Sequence, residues 1–192
     1  MPHLCIDPVV TAAKVITELQ TIISRNLDPL DSGVISITTV HGGEAYNVIP
    51  ETVRLSGTIR ALTMDRFRWL QDRVKTLASQ VAAANDCSAT VEFHGEAYPP
   101  TVNDADVWSD VQDFAAELLG REAVHEILPV MGGEDFAFYT ERVPGCFVGL
   151  GVSNEATGCT YHVHHPKFKV DEDALPIGSA LHACFALQSL SR

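Results

Sequence analysis

Val34-Ile-Ser-Ile-Thr-Thr-Val40 and Thr52-Val-Arg-Leu-Ser-Gly-Thr-Ile-Arg60 are the two stretches on which the fold turns. The first is β-branched almost throughout, a composition that suits a pleated, half-buried backbone. The second alternates Val53, Leu55 and Ile59 on one face with Arg54, Thr58 and Arg60 on the other. That period of two is the pattern of a strand with one wet side. His41-Gly42-Gly43 ends the first strand, and the loop between the two carries Asn47. Outward on either side the period changes to that of a helix. Asp7-Pro8 is an N-cap followed by a proline at the first helical position. Val9, Ala12, Ile16, Leu19 and Ile23 then predict a helix to about Arg25. Thr63 caps a second helix with an apolar stripe of Phe67, Leu70, Val74, Leu77 and Val81, ended by Asn85-Asp86. Ala89-Thr-Val-Glu-Phe93 reads as a short strand. Helix, strand, strand, helix, strand is the ferredoxin-like β-α-β-β-α-β sandwich without its first strand. The strand that should pair with the absent one is left with open backbone groups, so the sequence is expected to be incomplete.

Tyr98-Pro-Pro-Thr-Val-Asn103 is a proline-marked junction and sets a domain boundary, with residues 1–98 on one side and 99–192 on the other. Beyond it Val107, Val111, Phe114 and Leu118 predict a helix stopped by Gly120. Ile127-Leu128 and Cys146-Phe-Val-Gly-Leu-Gly151 are candidates for buried strands, the second apolar enough to be covered on both faces. Met131-Gly-Gly-Glu-Asp-Phe136 reads as a glycine-hinged turn into a short helix. The last helix, from about Glu172, carries Ile177, Leu181, Cys184 and Leu187. The second part is therefore α/β, but some ninety residues with two or three strands make a thin core for an independent domain.

Composition excludes several classes of function. A net charge of −12, with only 13 Lys and Arg and no basic block, argues against nucleic acid. With 46% hydrophobic and 20% charged residues, the chain is an ordinary globular one rather than a disordered one. It has no run of about 18 apolar residues, so no membrane span is expected. The first residues are too short and polar for a signal peptide, which leaves a soluble, cytoplasmic protein as the default. Five cysteines without CxxC spacing read as reduced thiols, and any metal must be held mainly by His and carboxylates.

Cys159-Thr-Tyr-His-Val-His-His-Pro166 packs three histidines into four positions. Imidazole is a common metal ligand and a common proton carrier, although clustered histidines also occur on solvated loops. In an extended backbone His162 and His164 would face one way and His165 the other, and one metal ligand from this set is enough. Gly132 and Gly133 permit close backbone approach ahead of a helix start. The adjacent Glu134 and Asp135 can bind metal, handle protons, or simply cap that helix. Asn47 is either a turn former or a ligand contact. Arg60 closes the second strand on its polar face, either as a solvated charge or as a planar fork for a carboxylate. Cys146, Cys159 and Cys184 read as structural thiols.

Several short motifs occur in one order along nearly the whole chain: Ile6-Asp-Pro-Val9, Gly42-Gly-x-x-x-Asn-Val-Ile-Pro50, Gly57-x-x-Arg60, Met131-Gly-x-Glu-Asp-Phe136, Pro144-Gly145 and His164-His-Pro-x-Phe168. The set resembles the metal-dependent amidohydrolases that include hippurate hydrolase, indole-3-acetyl-amino-acid hydrolases and bacterial carboxypeptidases. The resemblance implies a catalytic α/β domain with two divalent ions, zinc or manganese, and an inserted α+β lid that also forms a homodimer contact. It makes residues 1–98 the lid and 99–192 the C-terminal half of the catalytic domain. His164 matches a metal ligand, Asn47 and Arg60 match lid residues that hold the substrate carboxylate, and Gly132, Gly133, Glu134 and Asp135 match the loop lining the substrate pocket. In the complete enzymes a metal-bound water, activated by a glutamate, attacks the amide carbonyl of an N-acyl amino acid.

The sequence departs from that pattern in one respect. The remaining metal ligands, the catalytic glutamate and a lid histidine precede the matched region, and none has a counterpart here. No catalytic base is therefore expected within the chain, which is expected to be inactive by itself. The alternatives are a non-catalytic dimerisation module and one half of a split enzyme.

Overall fold

The computed structural model describes residues 1–95 and 97–191 of the 192. The chain divides into two compact units, Met1–Pro100 with Met131–Gly133, and Thr101–Val130 with Glu134–Arg192.

The first unit is built on a β-hairpin covered by two helices. Helix α1, Pro8–Thr21, starts where the Asp7 carboxylate accepts from the backbone N–H of Val9 at 2.8 Å and Val10 at 3.2 Å, with Pro8 in the first turn. That cap satisfies two of the donors that a helix start leaves unpaired. A π-helical turn, Ile22–Asn26, follows it. The residues that α1 buries are Thr11, Ala12, Val15 and Leu19, followed by Ile22 in the turn. The predicted stripe is thus rotated by about one position: Val15 and Ile22 point inward, Ile16 and Ile23 flank the core, and Val9 is exposed. A sequence apolar over a wide arc does not say which line of that arc the sheet will meet.

Strands β1, Gly33–His41, and β2, Arg54–Ala61, pair antiparallel, with Ile35 opposite Ile59 and Val34 opposite Arg60. A bulge lies between Ile37 and Thr39, and Gly57 faces it. A Cβ at Gly57 would come within 2.0 Å of the Ser36 carbonyl oxygen, so only glycine allows the strands to approach there. Helix α2, Met64–Ala83, is capped by Thr63, whose hydroxyl accepts from Arg66 N at 3.3 Å. It buries the i, i+4 row Leu70, Val74, Ala78 and Ala82. Ile22 and Leu70 are fully buried, and Ile35, Ile37, Leu55, Ile59 and Val91 pack around the same core.

Residues 89–93 are the first correction to the sequence-based expectation. They do not join the sheet, which has two strands among the described residues. Burial still alternates, with Ala89 and Val91 turned inward and Thr90 and Glu92 outward. The segment has the side-chain pattern of a strand without a ladder. In the β-α-β-β-α-β arrangement its neighbour is the first strand, for which these residues offer no equivalent. The structure therefore shows a mixed helix-and-sheet unit, not the complete lid fold.

The regular elements of the second unit are helices, joined by irregular segments. Helix α3, Ala105–Leu119, is capped by Asp104, which accepts from Asp106 N at 3.1 Å and Val107 N at 3.0 Å, and it ends at Gly120. Its buried residues Val111, Phe114 and Ala115 face α5, Leu175–Leu190, with Phe114 and Phe185 edge to face at 6.2 Å. The four-residue helix α4, Ala137–Thr140, follows the glycine turn, and Phe136 packs with Tyr139 and Phe147. Two predicted strands are absent here. Residues 146–151 form no ladder, and Ile127 and Leu128 are 72% and 86% exposed. A both-faces-buried strand needs neighbours on each side to pair its backbone. The described residues of this unit contain one isolated bridge, Asn154 to Cys159. The side-chain amide of Asn103 stands in for such a neighbour at one place. Its Nδ2 donates to the Phe147 carbonyl at 3.1 Å, and its Oδ1 accepts from Phe147 N at 2.8 Å.

Because Leu70 is fully buried at the centre of the first unit, Leu70→Ala should cost about 2–5 kcal/mol of that unit's stability. Leu187→Ala, at a position 69% exposed, should cost less than about 0.5 kcal/mol. Urea unfolding followed by circular dichroism checks both; equal costs would contradict the assignment of the core.

Candidate functional site

The residues singled out from sequence fall into three groups, which the fold treats differently. Arg60 lies near the end of β2 with its side chain on the exposed face. One guanidinium nitrogen donates to the Met131 carbonyl oxygen at 2.8 Å, across 71 positions of sequence. The first unit thereby brings Arg60 to the backbone of the Met131-Gly132-Gly133 turn. Gly133 packs closely on Tyr98: a Cβ there would sit 3.2 Å from the ring, so a larger residue would require the ring to shift by a few tenths of an ångström. Asn47 lies apart from this contact in the sequence, exposed in the turn of the β1–β2 loop, where Val48 N donates to Ala45 O at 3.4 Å.

Glu134 and Asp135 open the second unit's part of the motif. The Glu134 carbonyl accepts from Ala137 N at 3.2 Å and the Asp135 carbonyl from Phe138 N at 3.1 Å, which winds the chain into α4. Neither carboxylate caps the helix: the N-cap residue is Phe136, and no side chain bonds there. Of the three roles open in sequence, side-chain capping is not the one these residues play.

The histidine tract is not extended. It folds into two consecutive turns closed by His165 N to His162 O at 3.2 Å and Phe168 N to His165 O at 2.9 Å. Alternate positions therefore do not face alternate ways. His165 is held in place: its ring stacks on Tyr161 with centroids 4.2 Å apart, and its Nδ1 accepts from Lys167 N at 3.1 Å. His164 adopts a φ of 68°, in the left-handed region where a residue bearing a Cβ is held at a cost of about 1 kcal/mol or more. All three histidines are exposed. The turn thus ties one imidazole down and sets another on a strained backbone.

The donor set can be tested against the metal pair that the resemblance implies. Among the described residues, no group of three or more His, Cys, Asp or Glu side chains is gathered so as to hold an ion. His164 offers one donor, and a stable hydrolytic ion needs three or four protein ligands. The described residues do not by themselves fit a metal centre. The cysteines are free, and burial pushes the Cys146 thiol up, away from the reactive thiolate.

Sequence reasoning overlooked Asn103, Asn154 and Asp171. The first two are polar side chains in irregular segments with no periodicity to mark them. Asp171, directly ahead of a predicted helix, carried a capping signal that was there to be read.

Comparison with known proteins gives the class. The family model for peptidase family M20/M25/M40 matches residues 7–188, and the chain belongs to that family. It is 43% identical over 193 aligned positions to IAA-amino acid hydrolase ILR1-like 2 of Arabidopsis thaliana, covering 99% of this chain and 43% of that protein. It is 37% identical over 174 positions to N-acetyldiaminopimelate deacetylase of Leuconostoc mesenteroides, covering 91% and 44%. Among solved structures, a putative aminohydrolase from methicillin-resistant Staphylococcus aureus superposes with a TM-score of 0.83 at 30% identity, covering 97% of this chain and 48% of that one. The Bacillus subtilis YXEP protein, a dinuclear metal binding peptidase of the M20 family, gives 0.75 at 34%, covering 97% and 46%. The chain spans less than half the length of the relatives it matches. No helix of the described residues is long and apolar enough to cross a membrane.

The left-handed backbone at residue 164 separates folding from chemistry. Glycine adopts that conformation without the Cβ penalty. His164→Gly should therefore leave the melting temperature of the second unit unchanged or slightly raised while removing the imidazole. A marked fall in melting temperature would show that the ring, not the backbone, holds the turn.

Proposed function

We propose that this sequence is the lid and the C-terminal half of the catalytic domain of a metal-dependent amidohydrolase that cleaves the amide bond of N-acyl amino acids. The observation that carries the proposal is the match along 99% of the chain to a hydrolase of IAA-amino acids, joined by a deacetylase of an N-acetylated amino acid. Such substrates share an amide beside a free carboxylate. Arg60 supplies a planar cation for that carboxylate, and Asn47 supplies an amide donor. With one nitrogen engaged by Met131 O, the Arg60 fork is oriented rather than swinging freely. The Gly132–Gly133 backbone and the carboxylates of Glu134 and Asp135 line the pocket, and His164 donates to one ion of a two-metal pair, zinc or manganese. The pair supplies the Lewis acidity and the bound water. Its other ligands and the general base come from outside these 192 residues, so this chain alone does not hydrolyse substrate. A homodimer forms through the first unit.

Surface area supports the incompleteness. The chain exposes 14113 Å². A folded chain of this size exposes about 9,000 Å², and two separate halves of it about 11,000 Å². Helix α5 points the same way. It is apolar nearly all round, as in helices meant for full burial, yet it contains no fully buried residue.

The test is a chimera in which the preceding half of the ILR1-like 2 relative is joined to Met1. It should hydrolyse N-acetyl or indole-3-acetyl amino acids with zinc or manganese added. His164→Ala in the chimera should lower the bound metal below two per chain. Arg60→Ala should raise KM about 10- to 100-fold for substrates with a free carboxylate, the worth of one charge-assisted contact, and much less for their methyl esters. An inactive but folded chimera would sink the proposal, and equal effects on acid and ester would remove Arg60 from carboxylate recognition.

A further inference from the structure

The segment that carries the histidines is tied shut at its base by a pair of side chains that no part of the hydrolase reading uses. Asn154 Nδ2 donates to Asp171 Oδ2 at 2.6 Å, and both groups are partly buried. Beside that bond, Asp171 N donates to the Val152 carbonyl at 3.1 Å. Seventeen positions of sequence are thus closed at one point, and residues 160–169 between them are all exposed. An exposed loop of that length is not held by packing of its own. Each member of the pair also has a second duty. Asn154 Oδ1 accepts from Ala156 N at 2.9 Å, starting the turn that the Asn154–Cys159 bridge completes at 2.9 and 2.8 Å. Asp171 Oδ1 accepts from Asp173 N at 3.4 Å, at the start of the turn that leads into α5.

We infer that Asn154 and Asp171 are positioning residues: their hydrogen bond is a clasp that holds the loop presenting His164 in its left-handed conformation. The inference rests on the reading of His164 as a metal donor for its functional meaning, but not for its structural content. The physical reason is the cost of holding His164 at a φ of 68°. Such a conformation persists when the surroundings over-determine it. Inside the loop the restraints include two turn hydrogen bonds, the Tyr161–His165 stack with Lys167 Nζ 5.9 Å over the Tyr161 ring, Lys167 N donating to His165 Nδ1 at 3.1 Å, and Lys169 Nζ donating to Thr157 O at 2.9 Å. All of these are exposed and worth little if the ends of the loop can part. The clasp also joins the loop to the first turn before α5, so the loop's orientation is referred to a helix rather than to solvent.

The donor and acceptor pattern makes the clasp separable from ordinary capping. Exchanging the two residues preserves every bond. In Asn154→Asp with Asp171→Asn, the new Asp accepts from Ala156 N with one oxygen and from the new Asn amide with the other. The new Asn carbonyl still accepts from Asp173 N. Net charge is unchanged. Asn154→Asp alone places two carboxylates in contact. Asp171→Asn alone lets the amide satisfy the clasp or the helix start but not both.

Hydrogen–deuterium exchange of the metal-free, 192-residue chain tests this. Asn154→Asp should speed amide exchange over residues 158–168 by about tenfold or more, and Asp171→Asn by less. Exchange in α3, whose core is Val111 and Phe114, should stay within about twofold in both. The double exchange should return the loop to within about threefold of the unaltered chain. Three results would overturn the clasp: unchanged loop exchange in Asn154→Asp, an equal rise in α3, or a double variant no slower than the faster single. Failure of His164→Ala to lower metal content in the chimera would remove the ligand reading alone, because the exchange measurement contains no metal.

Discussion

A strand must pair its backbone and an apolar helix must cover its surface, and how far each unit meets that requirement decides nearly everything else about this chain. The first unit meets it largely from within. Its hairpin pairs along its length, and α1 and α2 cover one face around Ile22 and Leu70. The second unit meets it in part. Asn103 lends an amide to Phe147 where a neighbouring strand would pair, and α5 has one aromatic contact to α3 and much open surface. Such exposure is costly, because apolar area left in water forgoes roughly 25 cal/mol per Å².

The same division runs through the candidate site. Where the structure is closed, the functional side chains are well supported. Arg60 stands on a paired strand and is anchored to the Met131 carbonyl, which gives its guanidinium a fixed bearing. Where it is open, local devices substitute for a core. The His162–His165 turn relies on a ring stack, two backbone bonds and a strained residue, with a side-chain bond at its base.

Much of this was legible in the sequence wherever the cause is local. The caps at Asp7 and Thr63, the hairpin strands and the helix over residues 105–119 follow from side chains acting on their nearest neighbours. The failures share a different cause. Residues 89–93 and 146–151 have strand composition, but a ladder depends on a partner distant in sequence or outside it. The face that α1 buries was misjudged by one residue because Val15, Ile16, Ile22 and Ile23 are interchangeable until the sheet is placed. The histidine tract folds into turns, as Pro166 beside it favours, rather than into the extended backbone that would set His162 and His164 on one side. Asn154 and Asp171 carry no period at all. For His164 and Arg60 the proposed roles rest on the order of motifs along the chain, since neither residue type nor spacing alone points to them.

On the proposed reading, these 192 residues hold one donor of a metal pair and not the pair. Metal titration of the purified chain by isothermal calorimetry, with zinc and with manganese, tests it directly. No site tighter than about the millimolar level of isolated imidazoles is expected, with less than one ion retained per chain after gel filtration. Two ions per chain bound at micromolar affinity or better, with at least one lost in His164→Ala, would contradict it, because the full ligand set would then lie within this chain.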